Sequence, residues 1–323
     1  MRQMWRPLLL GAGLLLPVTG FASVADRALE WAFPPPGEQP VRGTEVHSLP
    51  GSALQLTWAQ VHTRSHVPDW YPAGHPAAPE AVLVNRDAKE YACGYCHLAT
   101  GQGRPENAGI AGLPRAYILE QVAAFRDGTR GGADPDFYPV EAMRGVAHAV
   151  REDDLAAAAD YFSALPRTPA AKVIEASTIR RVIGTGFSYA PAPGGGTEPL
   201  GQRIIEMPED VERFELRDPT VRYTAWVPKG SIARGQRLAA RWGPSGAYAC
   251  AGCHGTGYRG AGAVPPLAGK SPTGIVRQLA AFRIGARHGG QADLMRPVAA
   301  EMTAGDMIAL AAFLAAQPVS AAP

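Results

Sequence analysis

The sequence predicts a mainly α protein, with two tandem helical modules joined by an irregular, strand-bearing connector. Three observations carry that expectation. The segment from Tyr117 to Gly128 is repeated from Gly274 to Gly285 at a constant offset of 157 residues, the mark of one supersecondary unit used twice. In each copy the apolar residues fall at helical spacing: Ile118, Val122 and Phe125 in the first, Ile275, Leu279 and Phe282 in the second. Each makes one apolar face on a helix that stops at a glycine. Finally, the 323 residues include 37 Gly and 30 Pro, so the helices must be modest and the loops long. At roughly 150 residues per domain the length suits about two domains. With 46% hydrophobic and 19% charged residues the chain can build cores and is not a nucleic-acid-coating or disordered polymer.

Taken in order, the first element is an export signal over 1–25. Arg2 and Arg6 precede an apolar run over 7–18, and small residues then offer cleavage after Ala22 or Ala25. The run is short for a bilayer span, so an uncleaved anchor is the weaker alternative. The two arginines are not adjacent, which argues against twin-arginine export, and no cysteine follows the run to take a lipid. Cleavage removes two arginines and no acid, taking the formal charge from +2 to zero. The expected location is the periplasm, with no transmembrane segment after cleavage and no basic field to steer toward nucleic acid.

Residues 26–89 form a Pro-rich extension with one alternating stretch, 54–58, expected as a short strand. The first module spans 90–168, the connector 169–228 and the second module 229–319. In the connector, strands are expected at 202–206 and 221–226 with a turn at 192–196. The second module opens on a helix over 231–240. The first has 79–87 in its place, so its opening helix is shortened or absent and the extension is expected to cover the exposed core. Closing helices are expected over 154–165 and 306–314. Tyr161 and Phe313 match across the copies, and Thr303 with Asp306 has capping-box form.

All four cysteines lie in two copies of one pattern: Cys93-Gly94-Tyr95-Cys96-His97 and Cys250-Ala251-Gly252-Cys253-His254. Each reads as a c-type haem attachment site. Two thiols three positions apart reach the two vinyl groups of one haem, and the adjacent His97 or His254 lies under the iron. A four-cysteine zinc site would want its pairs close together, whereas Cys96 and Cys250 are 154 positions apart. Structural disulfides suit an exported chain, but two pairs each followed by His would be coincidental. A redox dithiol needs one pair on a strand-helix turn. The expected cofactors are therefore two covalently attached haem c groups. His47, His62, His66 and His75 in the extension, and His148 and His288 in the modules, are read as surface or loop residues. His66 and His75 are the competing candidates for a distal ligand.

With these residues in view, the pair of modules resembles class I c-type cytochromes. The whole chain resembles a periplasmic dihaem cytochrome of the cytochrome c4 group over about 90–166 and 229–318. The resemblance implies that a methionine in the loop before the last helix is the distal iron ligand. Met143-Arg144-Gly145-Val146-Ala147 aligns with Met295-Arg296-Pro297-Val298-Ala299, giving Met143 opposite His97 and Met295 opposite His254. Met302 takes the place of Val150 and Met307 that of Leu155, so both are read as core; Met207 lies outside the modules. The resemblance also implies that a backbone carbonyl after each motif accepts the proximal imidazole N–H, from 264–269 in the second copy and from 107–112, which lacks the proline, in the first.

The implied function is single-electron transfer between redox proteins, or within a respiratory or dehydrogenase complex, rather than bond chemistry. Thioether plus imidazole saturates the iron. A dihaem peroxidase would need one open iron, and a thiosulfate-oxidising enzyme with a cysteine-ligated iron would need a fifth cysteine. A cytochrome subunit of a larger dehydrogenase remains the third reading.

Overall fold

The protein is described here by a computed structural model over residues 27–34, 43–87, 89–243, 246 and 248–319. The expected signal peptide lies outside the described residues. The extension opens on a 3-10 turn, Glu30–Ala32, whose Trp31 and Ala32 are buried in the core of the second module. Strand β1 (Val46–His47) pairs antiparallel with β2 (Leu56–Thr57). The strand expected over 54–58 is thus cut to two residues. Thr57 and Gln60 form a capping box that starts helix α1 (Trp58–Val61), so Trp58 turns into the helix instead of continuing the strand. One further turn, α2 (Glu80–Leu83), stands where the second module has its opening helix. Val82 is fully buried there against Leu113, Ile118, Tyr161 and Phe162, so the extension does cover this core.

The first module continues with α3 (Cys93–His97), α4 (Arg115–Arg126), α5 (Tyr138–Ala149) and α6 (Glu152–Ala164). Helix α4 starts after Pro114, which cannot sit inside it, and gives way to Gly128 at φ 75°. Met143 lies within α5, not in a loop as the resemblance implied.

The connector carries β3 (Lys172–Ala176), β4 (Thr178–Arg180), β5 (Val182–Thr185), β6 (Ser188–Pro191), β7 (Thr197–Pro199), β8 (Ile205–Pro208), helix α7 (Val211–Glu215) and β9 (Tyr223–Pro228). Strand β9 runs between β3, to which it is parallel, and β8, to which it is antiparallel. Strands β4 with β7 and β5 with β6 make two antiparallel pairs. The two expected strands are present but shifted toward the C-terminus. Ile204, with Leu200, is buried ahead of β8, and Asp218 holds a turn ahead of β9 by accepting from the Thr220 amide.

Strand β9 leads straight into α8 (Ser231–Ala240), and the second module proceeds through α9 (Cys250–His254), α10 (Pro272–Arg283), α11 (Arg296–Ala299) and α12 (Ala304–Ala315). The capping box of Thr303 and Asp306 is formed. Helix α12 is buried from Asp306 through Ala315 and is crossed by α8 at Gly235, where the helices meet backbone to backbone. Where the first copy has α5, the second has a 3-10 turn, Gly290–Leu294, and then α11, with Met295 at the junction. Gly289 and Gly290 at positive φ prevent one continuous helix there. Among the described residues no single helix is long and apolar enough to cross a membrane.

Candidate functional site

Each Cys-x-x-Cys-His stretch forms a single helical turn, α3 or α9, which brings positions i and i+3 onto one face and sets both thiols of a pair side by side. All four cysteines are free thiols. Burial pushes Cys93, Cys96 and Cys250 up to about 11, so they are neutral.

The histidines are held alike. Nδ1–H of His97 donates to the Ala108 carbonyl and Nδ1–H of His254 to the Pro265 carbonyl, each at 2.8 Å. A carbonyl can only accept, so each imidazole carries its proton on Nδ1 and leaves Nε2 with a free lone pair. Burial lowers both imidazoles below their ordinary value, against the opposing effect of that hydrogen bond, and keeps them neutral. Two soft thiols and a neutral, oriented imidazole on one turn form a donor set that fits a covalently attached haem.

The loop behind each histidine closes the same way. Amides of Ile110 and Ala111 both donate to the Gly101 carbonyl in the first copy, and amides of Leu267 and Ala268 to the Tyr258 carbonyl in the second. The first loop lacks the proline, yet it is pinned by close backbone approach: a Cβ on Gly103, itself at φ 73°, would come within 2.6 Å of Ala108. Lys270, from the second module, adds a hydrogen bond from Nζ to the Gly109 carbonyl at 2.6 Å.

Burial, and then Arg167, bring the Lys270 ammonium down to about 7 from its ordinary 10.5. The unfolded chain keeps that proton up to about pH 10.5, so the burial cost is fully present below pH 7 and stability rises as pH climbs from about 7 to 10.5. The stability difference between wild type and Lys270→Met, measured by urea unfolding, should be flat below pH 7 and climb in favour of wild type across that window. A difference that stays flat throughout would place the amine in water.

Met143 is half-buried against Val122, Ala147 and Leu155, and Met295 is half-buried against the core of the second module. Met302, Met307 and Met207 are buried among core residues. His75 faces Tyr161, whose hydroxyl lies 2.9 Å from its Nδ1, and Asp69 at 3.2 Å. His66 makes a backbone bridge to Val84. His148 and His288 are exposed.

A set of cations between the elements escaped sequence reasoning. Arg130 lies over Phe125 and Arg287 over Phe282, at 4.6 and 4.5 Å, and both pairs obey the 157-residue offset. Arg287 also donates to Gln278 of its own copy and, at 2.6 Å, to Gln121 of the other. The loops around them pair reciprocally: the Gly131 amide donates to the Ala286 carbonyl at 2.7 Å and the His288 amide to the Thr129 carbonyl at 2.9 Å. Since 131 and 288, and 129 and 286, are equivalent positions, the two copies meet about an approximate two-fold axis. A search for matching arginines at the repeat offset would have found this pair. Arg277, whose guanidinium donates to the Ala32 and Pro105 carbonyls, has no such counterpart.

The sequence signature of the cytochrome c family matches residues 232–317. The thiosulfate dehydrogenase electron acceptor of Thiomonas intermedia is 31% identical over 256 residues, spanning 77% of this chain and 85% of that protein. Cytochrome c-552 of Acidithiobacillus ferridurans is 26% identical over 243 residues, 75% of this chain and 78% of that one. Among solved structures, a thiosulfate dehydrogenase from Marichromatium purpuratum superposes with a TM-score of 0.46 at 29% identity, covering 71% of this chain and 37% of that one.

Proposed function

Because the chain belongs to the cytochrome c family, whose relatives here include a dehydrogenase electron acceptor, we propose that this electron-transfer protein is an exported, periplasmic dihaem carrier. Its two haems are attached at Cys93/Cys96 and Cys250/Cys253, and its donor is a thiosulfate-oxidising dehydrogenase. The observation that carries the two-haem reading is the identical construction of both motifs, with Nδ1 of His97 and His254 tied to a loop carbonyl at the same distance. Bound there, haem supplies a reversible one-electron iron couple. The chain's own residues do the rest. The thiols would anchor it, the oriented imidazoles of His97 and His254 would offer Nε2, and Met143 and Met295 would supply thioethers that favour its reduced state. Held by these donors, the group would carry electrons between redox partners. The donor assignment rests on the role of the Thiomonas intermedia relative as an electron acceptor of thiosulfate dehydrogenase and on the two reciprocally joined modules, which suit a carrier with one face for each partner.

Intact mass after acid denaturation should exceed the polypeptide beginning after Ala25 by two haems, and the spectrum should be low-spin in both oxidation states. One haem, or an unprocessed N-terminus, would refute the exported dihaem reading. A large high-spin fraction with rapid peroxide turnover would favour an enzyme.

A further inference from the structure

The two motifs are built alike but covered differently. Over the first lies the connector segment that follows α7. The Arg217 guanidinium stacks on the Tyr95 ring, with 3.4 Å from its central carbon to the ring centroid, and donates to the Tyr95 carbonyl within α3. The residue is half-buried and its Nε is enclosed without a partner. The neighbouring Arg104 is neutralised by Glu106 at 2.6 Å, whereas no carboxylate lies within ion-pair distance of Arg217 among the described residues. The segment is fixed from both sides. Arg104 reaches the Phe214 carbonyl at 3.1 Å, and Trp70 of the extension donates to the Leu216 carbonyl at 2.8 Å. Arg217 itself stands at φ 57°, a left-handed conformation unfavourable for any residue with a Cβ and retained only where surrounding contacts impose it. By the repeat offset the counterpart of Tyr95 is Gly252, and a Cβ there would meet nothing within 4 Å. Among the described residues, a cation is stacked on the first motif at Tyr95, and nothing lies against the equivalent position of the second.

We propose that Arg217 sets the two haem sites apart in potential, holding the site at Cys93, Cys96 and His97 above the site at Cys250, Cys253 and His254. The inference rests on the two-haem reading above. Adding one electron to a site makes it more negative by one charge, so a cation held against it with no ion-pair partner of its own among the described residues stabilises the reduced form and raises the potential. Burial makes the effect larger than that of the same charge in water. An electron on a half-reduced molecule is then held on the covered side.

The test is a spectroelectrochemical titration of the intact holoprotein and three variants. Arg217→Gly removes the cation and suits the positive φ, so it keeps the fold even where Arg217→Gln does not; Arg217→Lys keeps the charge. The upper couple should fall in Arg217→Gly, with its ferrous-to-ferric ratio at a fixed potential dropping about tenfold, which for one electron is 59 mV. The lower couple should stay, and Arg217→Lys should restore most of the shift. In a Met295→Ala background the same loss should persist on the upper couple, assigning it to the first site. Unmoved couples, equal shifts in the Gly and Lys variants, or a shift on the second site would each overturn the proposal. A preparation with one haem by mass would instead overturn the two-haem reading beneath it.

Discussion

Gly235→Ala should cost the second module about 3 kcal/mol or more, although alanine is the better helix former by about 1 kcal/mol. The reason lies in the crossing of α8 over α12. A Cβ at 235 would overlap the Ala309 carbonyl oxygen and come within 2.6 Å of Ala309 C and Phe313 Cβ, distances real Cβ atoms do not tolerate. Two of these contacts are backbone, so no rotamer change relieves them. The helices must separate, and the buried run from Met307 to Ala315 loses packing along its length. Urea unfolding should show the loss, whereas Gly252→Ala, in a helical turn where nothing lies within 4 Å, should leave stability unchanged or raised by up to about 1 kcal/mol. Stability unchanged in Gly235→Ala would mean that the helices cross farther apart than they do here.

Met295→Ala should abolish roughly half of the ferric methionine-to-iron absorption and lower one midpoint potential, since losing a thioether favours the ferric state. Met302→Leu should leave both unchanged. Met302 is 3% exposed and embedded among core residues, so leucine is a near volume-conserving swap costing under about 1.5 kcal/mol. Met295 sits half-buried at the junction of a 3-10 turn with α11 and follows Leu294, which is 72% exposed. Loss of the band in Met302→Leu with its retention in Met295→Ala would show that the two copies are aligned in the wrong register.

What the sequence alone determined is what local chemistry and repetition can carry. The thiol pairs and their histidines, the stripe from Ile118 to Phe125 and its copy, the opening helix Ser231–Ala240 and the Thr303 cap each depend on residues within one or two turns of one another, and the structure has these elements where spacing put them. Local reasoning failed where two local signals competed. Thr57 caps a helix that ends an alternating run, and the same aligned stretch is the single helix α5 in one copy and a glycine-broken 3-10 turn before α11 in the other. Tertiary structure alone decided the rest: the parallel pairing of β3 with β9 across some fifty residues, the single turn at Val82 that replaces a whole helix, the reciprocal pairing of the loops at Arg130 and Arg287, and the placing of Arg217 on Tyr95. The physical reason is common to all four. A side chain drawn out of water, apolar or cationic, or an unpaired strand edge is satisfied by packing partners, carbonyls, rings and amides that the fold brings from far along the chain, and sequence spacing holds no record of which of them will arrive.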